Sequence, residues 1–516
     1  MKSRTSSRIV KNTGFLYVRM GITVFFSLYT TRLILNALGA VDYGIYGIVG
    51  GAIGMLGFLN SSMSDATLRF MSYSQGKKDY HSQKCVFVNS IIINIVIAVI
   101  LAIILELVSY PLFHFVLTVP SDRLSAAEFI YQFLIVSTFF TVVSVPYDAA
   151  IIAHENMRYY AIIGIVESLL KFFVAVIVVN TLLDRLILYG VLMASLTIVV
   201  FLSKYLYCHF TYDECKKITK TYANKITIFE LLGYARWNLI NSLGTLVGNH
   251  GSDVVLNHFF GPAINSAGNI GAQLRGQMMA LSNGLLKALN PAILKIGGEG
   301  DKKQIMNFSV SGAKFSYILF AVFCIPFIID APYVLRVWLK NVPEWTLSFS
   351  RLLMLTGLGE QMTITMGTAL AATGEIRNNS LFSGFAHIIP LFIYIIIYQM
   401  GVQPIWTYVI TFFNFVFIIG GYKLYQCANY CNLNICNFIR TVFLPICICS
   451  AIALIVGVLI LYTMQESILR FLIIVTVVDT IFLGSSYFVI IDDNEKSIIR
   501  SVVLITKEKC KSYFLN

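Results

Sequence analysis

The 516 residues predict an all-α integral membrane protein. It is expected to have about fourteen transmembrane helices: two six-helix lobes in pseudo-two-fold arrangement around a central cavity, plus two C-terminal helices. Three observations lead there. The chain is 57% hydrophobic but only 12% charged, with a mean hydropathy of +0.76; soluble domains carry about 25% charged residues. Apolar runs long enough to cross a bilayer follow one another with short connections. A short pattern also recurs six spans apart: Ile34-Leu35-Asn36 with Gly39, then Val255-Leu256-Asn257 with Gly261.

The spans fall at roughly 13–35, 41–63, 85–110, 127–147, 160–181, 186–208, 237–258, 263–286, 305–328, 346–371, 381–400, 405–425, 441–463 and 469–490. The longest connections are expected near 64–84, 209–236 and 287–304. This order divides the chain into a first lobe over 1–210, a cytoplasmic linker over 211–236, a second lobe over 237–425, and two further helices with a tail over 426–516. Each repeat copy leads into a glycine-rich helix, Gly44, Gly47, Gly50, Gly51, Gly54 and Gly57 in one and Gly268, Gly271 and Gly276 in the other. Copies an even number of spans apart share one orientation, the parallel-repeat arrangement of two-lobed transporters.

Orientation follows from the basic residues. With the N-terminus inside, 27 Lys and Arg lie in inside segments and 7 in outside segments. Basic residues concentrate in cytoplasmic loops, so both termini are expected in the cytoplasm. The formal charge of +12 is read through topology and not as a nucleic-acid footprint. Lys2, Arg4, Arg8 and Lys11 precede a long first span without a small-residue cleavage site, so no cleavable signal peptide is expected. The ten Cys include none in an outside loop, and no disulfide framework is implied.

Polar residues inside spans are the functional candidates, because each is costly in hydrocarbon. In span seven Asn238, Asn241, Ser242, Thr245, Asn249, Ser252 and Asp253 fall in one arc ~120° wide at 100° per residue. Such a stripe faces either neighbouring helices or a water-filled cavity. Span one carries Asn12, Arg19, Thr23, Ser27 and Thr30 on one side, with Arg19 either snorkelling or lining the cavity. Span eight carries Asn265, Asn269, Gln273 and Gln277 at intervals of four, with Arg275 off that stripe, beside Gly268 and Gly271. In span five Glu167 and Lys171 stand one turn apart, as a structural ion pair or a coupling pair. Span ten places Thr356, Glu360 and Thr363 on one side, and Asp479 is alone in span fourteen.

Catalytic chemistry finds no support. No glycine-lysine nucleotide loop is present. Cys427, Cys431 and Cys436 lack a fourth ligand for a metal, so no cofactor is expected. The longest outside loops, 111–126 and 329–345, are too short to hold the catalytic groups of a membrane polymerase, ligase or glycosyltransferase. The segment with Lys216, Lys217, Lys220, Lys225, Tyr222, Ile226 and Phe229 is either a lipid-surface element or a solvated linker.

Several segments resemble a known family. TRLILNALGAVDYGIYGIVGG, SVPYDAAIIAHENMRYYAIIGIVES, WNLINSLGTLVGNHGSDVVLNHFFGPAINSAGNIGAQL, VLRVWLKNVPEW and AATGEI occupy matching places in bacterial polysaccharide flippases of the O-antigen type, within the multidrug/oligosaccharidyl-lipid/polysaccharide exporter superfamily. The resemblance implies a flippase that moves an undecaprenyl-diphosphate-linked oligosaccharide from the inner to the outer leaflet by alternating access. Its partners would be that lipid-linked oligosaccharide, membrane lipids and other polysaccharide-assembly membrane proteins, with no nucleic acid. It implies a cationic cavity, for which Arg19 and Arg275 match. Asp253 departs from that pattern. Together the residues and the resemblance make Arg19, Thr23, Asn241, Asn249, Asp253, Asn269 and Arg275 the substrate-binding candidates. Glu167, Lys171 and Glu360 are the coupling or gating candidates. The alternative is a cation-coupled multidrug exporter of the same superfamily, with Asp253, Glu360 and Glu167 as ion sites.

Overall fold

The computed structural model describes residues 12–27, isolated positions between 29 and 46, and residues 57–113, 122–216, 222–339, 342–493 and 495–497. Of the first copy of the sequence repeat, Leu35, Asn36 and Gly39 lie outside them, as do the glycines at 44, 47, 50, 51 and 54 and Lys217 and Lys220.

The described elements are helices. Helix α1 covers residues 12–27, followed by α2 (Gly57–Gly76), α3 (Tyr80–Pro111), α4 (Leu124–Ala153), α5 (Met157–Val179) and α6 (Arg185–Thr211). Then come α7 (Lys225–Glu299), α8 (Lys302–Leu339), α9 (Thr346–Gln361), α10 (Ile364–Thr373) and α11 (Arg377–Gln399). Finally α12 (Trp406–Cys431), α13 (Ile435–Thr463) and α14 (Ile468–Val489) complete the chain. Among the described residues nine helices are long and apolar enough to cross a membrane: α3 to α6, α8 and α11 to α14.

Local chemistry marks the boundaries. Orphan backbone N–H groups at helix starts are capped by Asp79 (to Ser82 N, 2.9 Å), Asn156 (to Tyr159 N, 3.2 Å), Asp184 (to Leu186 N, 3.0 Å) and Ser467 (to Arg470 N, 3.1 Å). Helix α7 is broken at Gly261, whose φ of 81° and ψ of 175° belong to a backbone region open in practice only to glycine. That break separates the expected spans seven and eight.

Several boundaries differ from the hydropathy reading. Residues 64–76 and 287–299, expected as connections, continue α2 and α7 as helix; the connections shrink to Lys77–Asp79 and Gly300–Asp301. Polar helix ends standing beyond the hydrocarbon lower the hydropathy without ending the helix. Span ten is two helices, α9 and α10, interrupted at Met362 and Thr363. Thr363 therefore starts α10 and no longer continues the side of Thr356 and Glu360. A π-turn, Asn414–Ile419, interrupts α12. Arg470, counted with an outside loop, lies in the first turn of α14.

By packing, the described residues form two compact units, Asn12–Leu239 and those from Ile240 on. The core of the first joins Ile34, Phe113, Ile130, Tyr131, Val174 and Leu186, with the Tyr131 hydroxyl donating to Leu105 O at 2.6 Å. The second has a cluster of Leu256, Ala267, Phe349, Leu353 and Tyr408. In it α13 and α14 are fastened to α8 at both ends. Arg470 donates from Nη2 to Asp330 Oδ1 at 2.6 Å and from Nε to Asp330 Oδ2 at 3.2 Å. Lys314, 1% exposed, reaches Asp492 at 2.9 Å and Glu495 at 3.3 Å beyond the end of α14. Between these, Tyr317 and Ser450 share a hydrogen bond of 2.8 Å. A Cβ at Gly457 would lie 2.3 Å from an Ile329 methyl, so α13 needs glycine there for close approach.

Candidate functional site

Two groups of the predicted residues fall in the first unit. The polar side of α1 lies along α5 in register. Asn12 Nδ2 donates to Glu155 O at 2.8 Å, and Ser168 Oγ donates to Thr23 Oγ1 at 3.3 Å. Phe26 then meets Phe172 at a centroid separation of 5.6 Å. Between them Arg19 lies against Gly164. A Cβ added at Gly164 would stand 2.1 Å from Arg19 Nε, so a side chain there would make the guanidinium shift. The Arg19 Cζ is 4.6 Å from the Tyr160 ring centroid, a cation–π contact. No carboxylate among the described residues pairs with Arg19. The stripe of span one is thus partly satisfied by helix packing.

Further along α5, Lys171 Nζ donates to Glu167 Oε1 at 2.6 Å. The two side chains are 41% and 33% exposed, so the pair is formed yet half open to its surroundings.

The second unit brings together two residues that sequence spacing had kept apart. Arg275 Nη2 donates to Glu360, joining α7 to α9 just before the break at Met362. The guanidinium carbon stands 5.8 Å from the Phe415 centroid, at the π-turn of α12. Arg275 Nε is buried with no acceptor among the described residues. Gly357 makes room for the arrangement: a Cβ there would come 2.7 Å from Phe320 and 3.5 Å from Arg275 Nε. Lys423 on α12 and His387 on α11 lie within electrostatic reach of Glu360. Glu360 is therefore paired with one arginine and lies in the electrostatic range of a lysine on α12 and a histidine on α11, and no hydropathy pattern marks that grouping. The sequence marks Arg275 and Glu360 separately but not their pairing.

The first half of α7 carries its polar arc beside a glycine seam. Cβ atoms at Gly244 and Gly248 would fall 2.3 Å and 2.5 Å from the backbone oxygens of Gly384 and His387, so α11 packs directly on that seam. Thr245 and Ser252 bond back to Asn241 O (2.9 Å) and Gly248 O (2.6 Å). Asn241 Oδ1 is buried with no partner among the described residues. Asn249 is exposed, and Asp253 lies 4.0 Å from His250 Nδ1.

The second half of α7 is unlike any helix that faces lipid. Asn269, Gln273, Gly276, Gln277, Asn283 and Lys287 are exposed along one face. None of the large apolar side chains described between 264 and 299 is exposed, whereas α3 exposes Ile95, Val96, Val99, Ile100, Ile103 and Ile104. The opposite face, with Ala267, Gly268 and Gly271, packs on Tyr408, Ser350 and Leu353. Of the expected stripe the exposed face takes in Asn269, Gln273 and Gln277 but not the part-buried Asn265, and it continues through Asn283 to Lys287, which the hydropathy pattern assigns to a connection. Within a membrane, such a face needs water or protein against it.

A bundle of long apolar helices, some of them broken, with buried charged groups defines the class as an all-α fold of membrane-spanning helices. The likeness to solved structures is specific. A multidrug-resistance MATE family transporter of the MOP superfamily, in an outward-facing conformation, superposes with a TM-score of 0.72 at 13% identity, over 83% of this chain and 96% of that one. A MOP superfamily transporter from Pyrococcus furiosus, described as having a binding pocket of reversed polarity, gives 0.71 at 13% identity over 83% and 97%. A MATE structure in the straight conformation gives 0.70 at 12% identity over 83% and 97%. These establish the MATE fold with its two lobes. Residues 18–177 match the family model described as MatE. No curated protein is similar enough to be matched.

Proposed function

We propose that the protein is a multi-pass membrane transporter of the MOP type that moves its cargo by alternating access. The observation that carries this is the exposed polar face of α7 from Asn269 to Lys287, on a helix with no exposed large apolar side chain among those described. A face of amides and glycines offers hydrogen bonds to a polar cargo and none of the apolar contact that acyl chains need. Arg275 and Glu360 supply a charged pair whose balance a cation or an anionic cargo group can alter. The MatE match over residues 18–177 and the multidrug-transporter neighbours favour a cation-coupled small-molecule exporter. In that reading Glu360 takes the coupling role, and Arg275 holds it between turnovers.

A second reading, a lipid-linked oligosaccharide flippase, is favoured by one feature of the chain. Helices α13 and α14, beyond the twelve of two six-helix lobes, are built into the second unit by the Arg470–Asp330 and Lys314–Glu495 pairs. In this reading the diphosphate is met by a guanidinium, Arg19 in the first unit or Arg275 in the second, because a planar guanidinium is the better partner than an ammonium.

One experiment separates the two. Purified protein in proteoliposomes is given an imposed proton or sodium gradient, and efflux of a fluorescent cationic drug is followed. In parallel, lipid-linked repeat units are assayed by leaflet in cells lacking the protein. Gradient-driven efflux lost in Glu360→Gln, with normal leaflet distribution, supports the exporter. Repeat units trapped on the inner leaflet, with no drug flux, support the flippase. Normal results in both assays would remove the transporter reading.

A further inference from the structure

Helix α14 carries a carboxyl group at the middle of the membrane that nothing in the described chain satisfies. Asp479 stands eleven residues from Ile468 and ten from Val489, the two ends of the helix. At ~1.5 Å per residue it is ~15 Å from either end, the centre of a hydrocarbon core ~30 Å thick. Its Oδ1 is buried, and no described residue donates to Asp479 or pairs with it. The cations nearest along the α8–α14 contact are already engaged, Arg470 with Asp330 and Lys314 with Asp492 and Glu495.

Asp479 belongs to a stripe. Leu469, Leu472, Thr476, Asp479 and Leu483 follow one another at intervals of three and four, one side of the helix. The three leucines are exposed by 59%, 53% and 45%; Thr476 is exposed and Asp479 half-buried. The Thr476 hydroxyl donates back to Leu472 O at 2.8 Å, and that of Thr480 beside it to Thr476 O at 2.6 Å. Those donors are used within the helix, and the carboxyl is not. A Cβ at Gly484, on the flank of the stripe, would meet nothing within 4 Å, so the described chain leaves that side uncovered as well. Helix α13 shows the contrast. Its exposed stripe of Ile448, Ile452, Ile455 and Leu459 is wholly apolar and suits acyl chains.

Alternating intervals of three and four make the seam along which two helices supercoil, and one polar seam residue fixes the register. In lipid the leucines supply little drive, because acyl chains are equally apolar; a hydrogen bond across the seam supplies it. A carboxyl accepts through one oxygen and, when protonated, donates through the other, so it is complementary to a second carboxyl. Two copies inserted in the same orientation hold Asp479 at one depth, and a two-fold axis along the membrane normal lays the same patch on itself. Any other helix would need a polar group of its own at that depth.

We propose that α14 pairs with α14 of a second copy of the chain along Leu469, Leu472, Thr476, Asp479 and Leu483, the two Asp479 carboxyls hydrogen-bonded to each other. The pairing requires only that α14 crosses the membrane and holds whatever cargo is carried. Acyl chains or a second helix leave the leucines equally dry.

The test uses the full-length chain. Leu472→Cys, Leu483→Cys and, on α13, Ile452→Cys are made singly in a variant free of native cysteines and oxidised in native membranes with copper phenanthroline. The expected result is several-fold more cross-linked dimer from the two α14 positions than from Ile452→Cys. In parallel, dye-labelled purified protein is diluted in lipid bilayers, and the dimer fraction is counted by photobleaching steps. Asp479→Asn keeps a donor and an acceptor and should keep the dimer. Asp479→Leu removes both and should lower the dimer fraction several-fold at equal dilution, without loss of thermal stability. Equal cross-linking from α13 and α14 would overturn the seam. A dimer fraction unchanged in Asp479→Leu would overturn the carboxyl contact. A monomer at every dilution, with α14 cross-linking to a different membrane protein or to none, would overturn the second copy.

Discussion

Single residues in this protein act through charge partners far apart in sequence. Asp330 is fully buried and Arg470 is 6% exposed, and each is the main neutralising group of the other. Removing one partner of a buried pair leaves an uncompensated charge and costs about 3–5 kcal/mol, while replacing both with apolar groups is often close to neutral. Arg470→Met or Asp330→Leu should therefore each lower the thermal stability of the purified protein markedly. The double variant should recover most of the loss. Three equal losses in a melting assay would show that the pair contributes packing alone. Arg275 and Glu360 form a second such pair, open to one side and placed at helix interruptions. Here transport is the informative readout: Glu360→Gln should abolish gradient-driven flux and leave the protein folded. Adding Arg275→Gln should restore folding yield if that single change lowers it, without restoring flux. Flux that survives in Glu360→Gln would take this carboxylate out of the coupling step.

At the scale of elements, the outer turns of the first unit illustrate how a charged staple sets a pH range. Arg123 starts α4 and bonds to Asp42 and to Asp184, the latter at 2.8 Å from Nη1 to Oδ2. Partial burial by itself raises the Asp184 pKa. The hydrogen bonds from Arg123 and from the backbone N–H groups of Ile187 and Leu186 outweigh it, and the carboxyl lies below its ordinary range. A carboxylate with a depressed folded pKa stabilises above its unfolded pKa and loses that contribution as pH falls through the folded value. The staple should thus be constant at neutral pH and weaken below about pH 4, and Arg123→Gln should flatten the acid limb of a stability-versus-pH curve. An unchanged limb would show that Asp184 acts only as a helix cap. Most elements could be read from the sequence, because apolar runs and capping residues act locally. Of the polar stripe from Asn265 to Gln277, the exposed positions Asn269, Gln273 and Gln277 were legible for the same reason, while Asn265 is part-buried. The break at Met362 and the π-turn at Asn414 were not, since nothing in local propensity distinguishes them from continuous helix. The partners of Arg275, Lys314 and Asp330 were also hidden, because periodicity along one helix carries no information about which distant helix it meets. Lys287 was misplaced in a connection for another reason: a wet helix has the hydropathy of a loop.

The whole molecule combines long lipid-facing helices such as α3 and α14 with one half of α7 that cannot face lipid. The two polar stripes, α1 with Arg19 and α7 with Asn241 and Asn249, belong to different units, and each is held by helices of its own unit: α5 for the first, α11 for the second. The extra helices α13 and α14 are part of the second unit and should move with it during transport. On this account the face from Asn269 to Lys287 is in contact with water at membrane depth. Cysteines introduced one at a time at Asn269, Gln273 and Gln277, and at Leu472 and Leu483 of α14, measure this directly in a variant free of native cysteines. A small, charged, membrane-impermeant thiol reagent should modify the three α7 positions rapidly and the two α14 positions very slowly, with cargo slowing the former. Equal, slow reaction at all five would place the polar face against acyl chains or sealed protein and contradict the account.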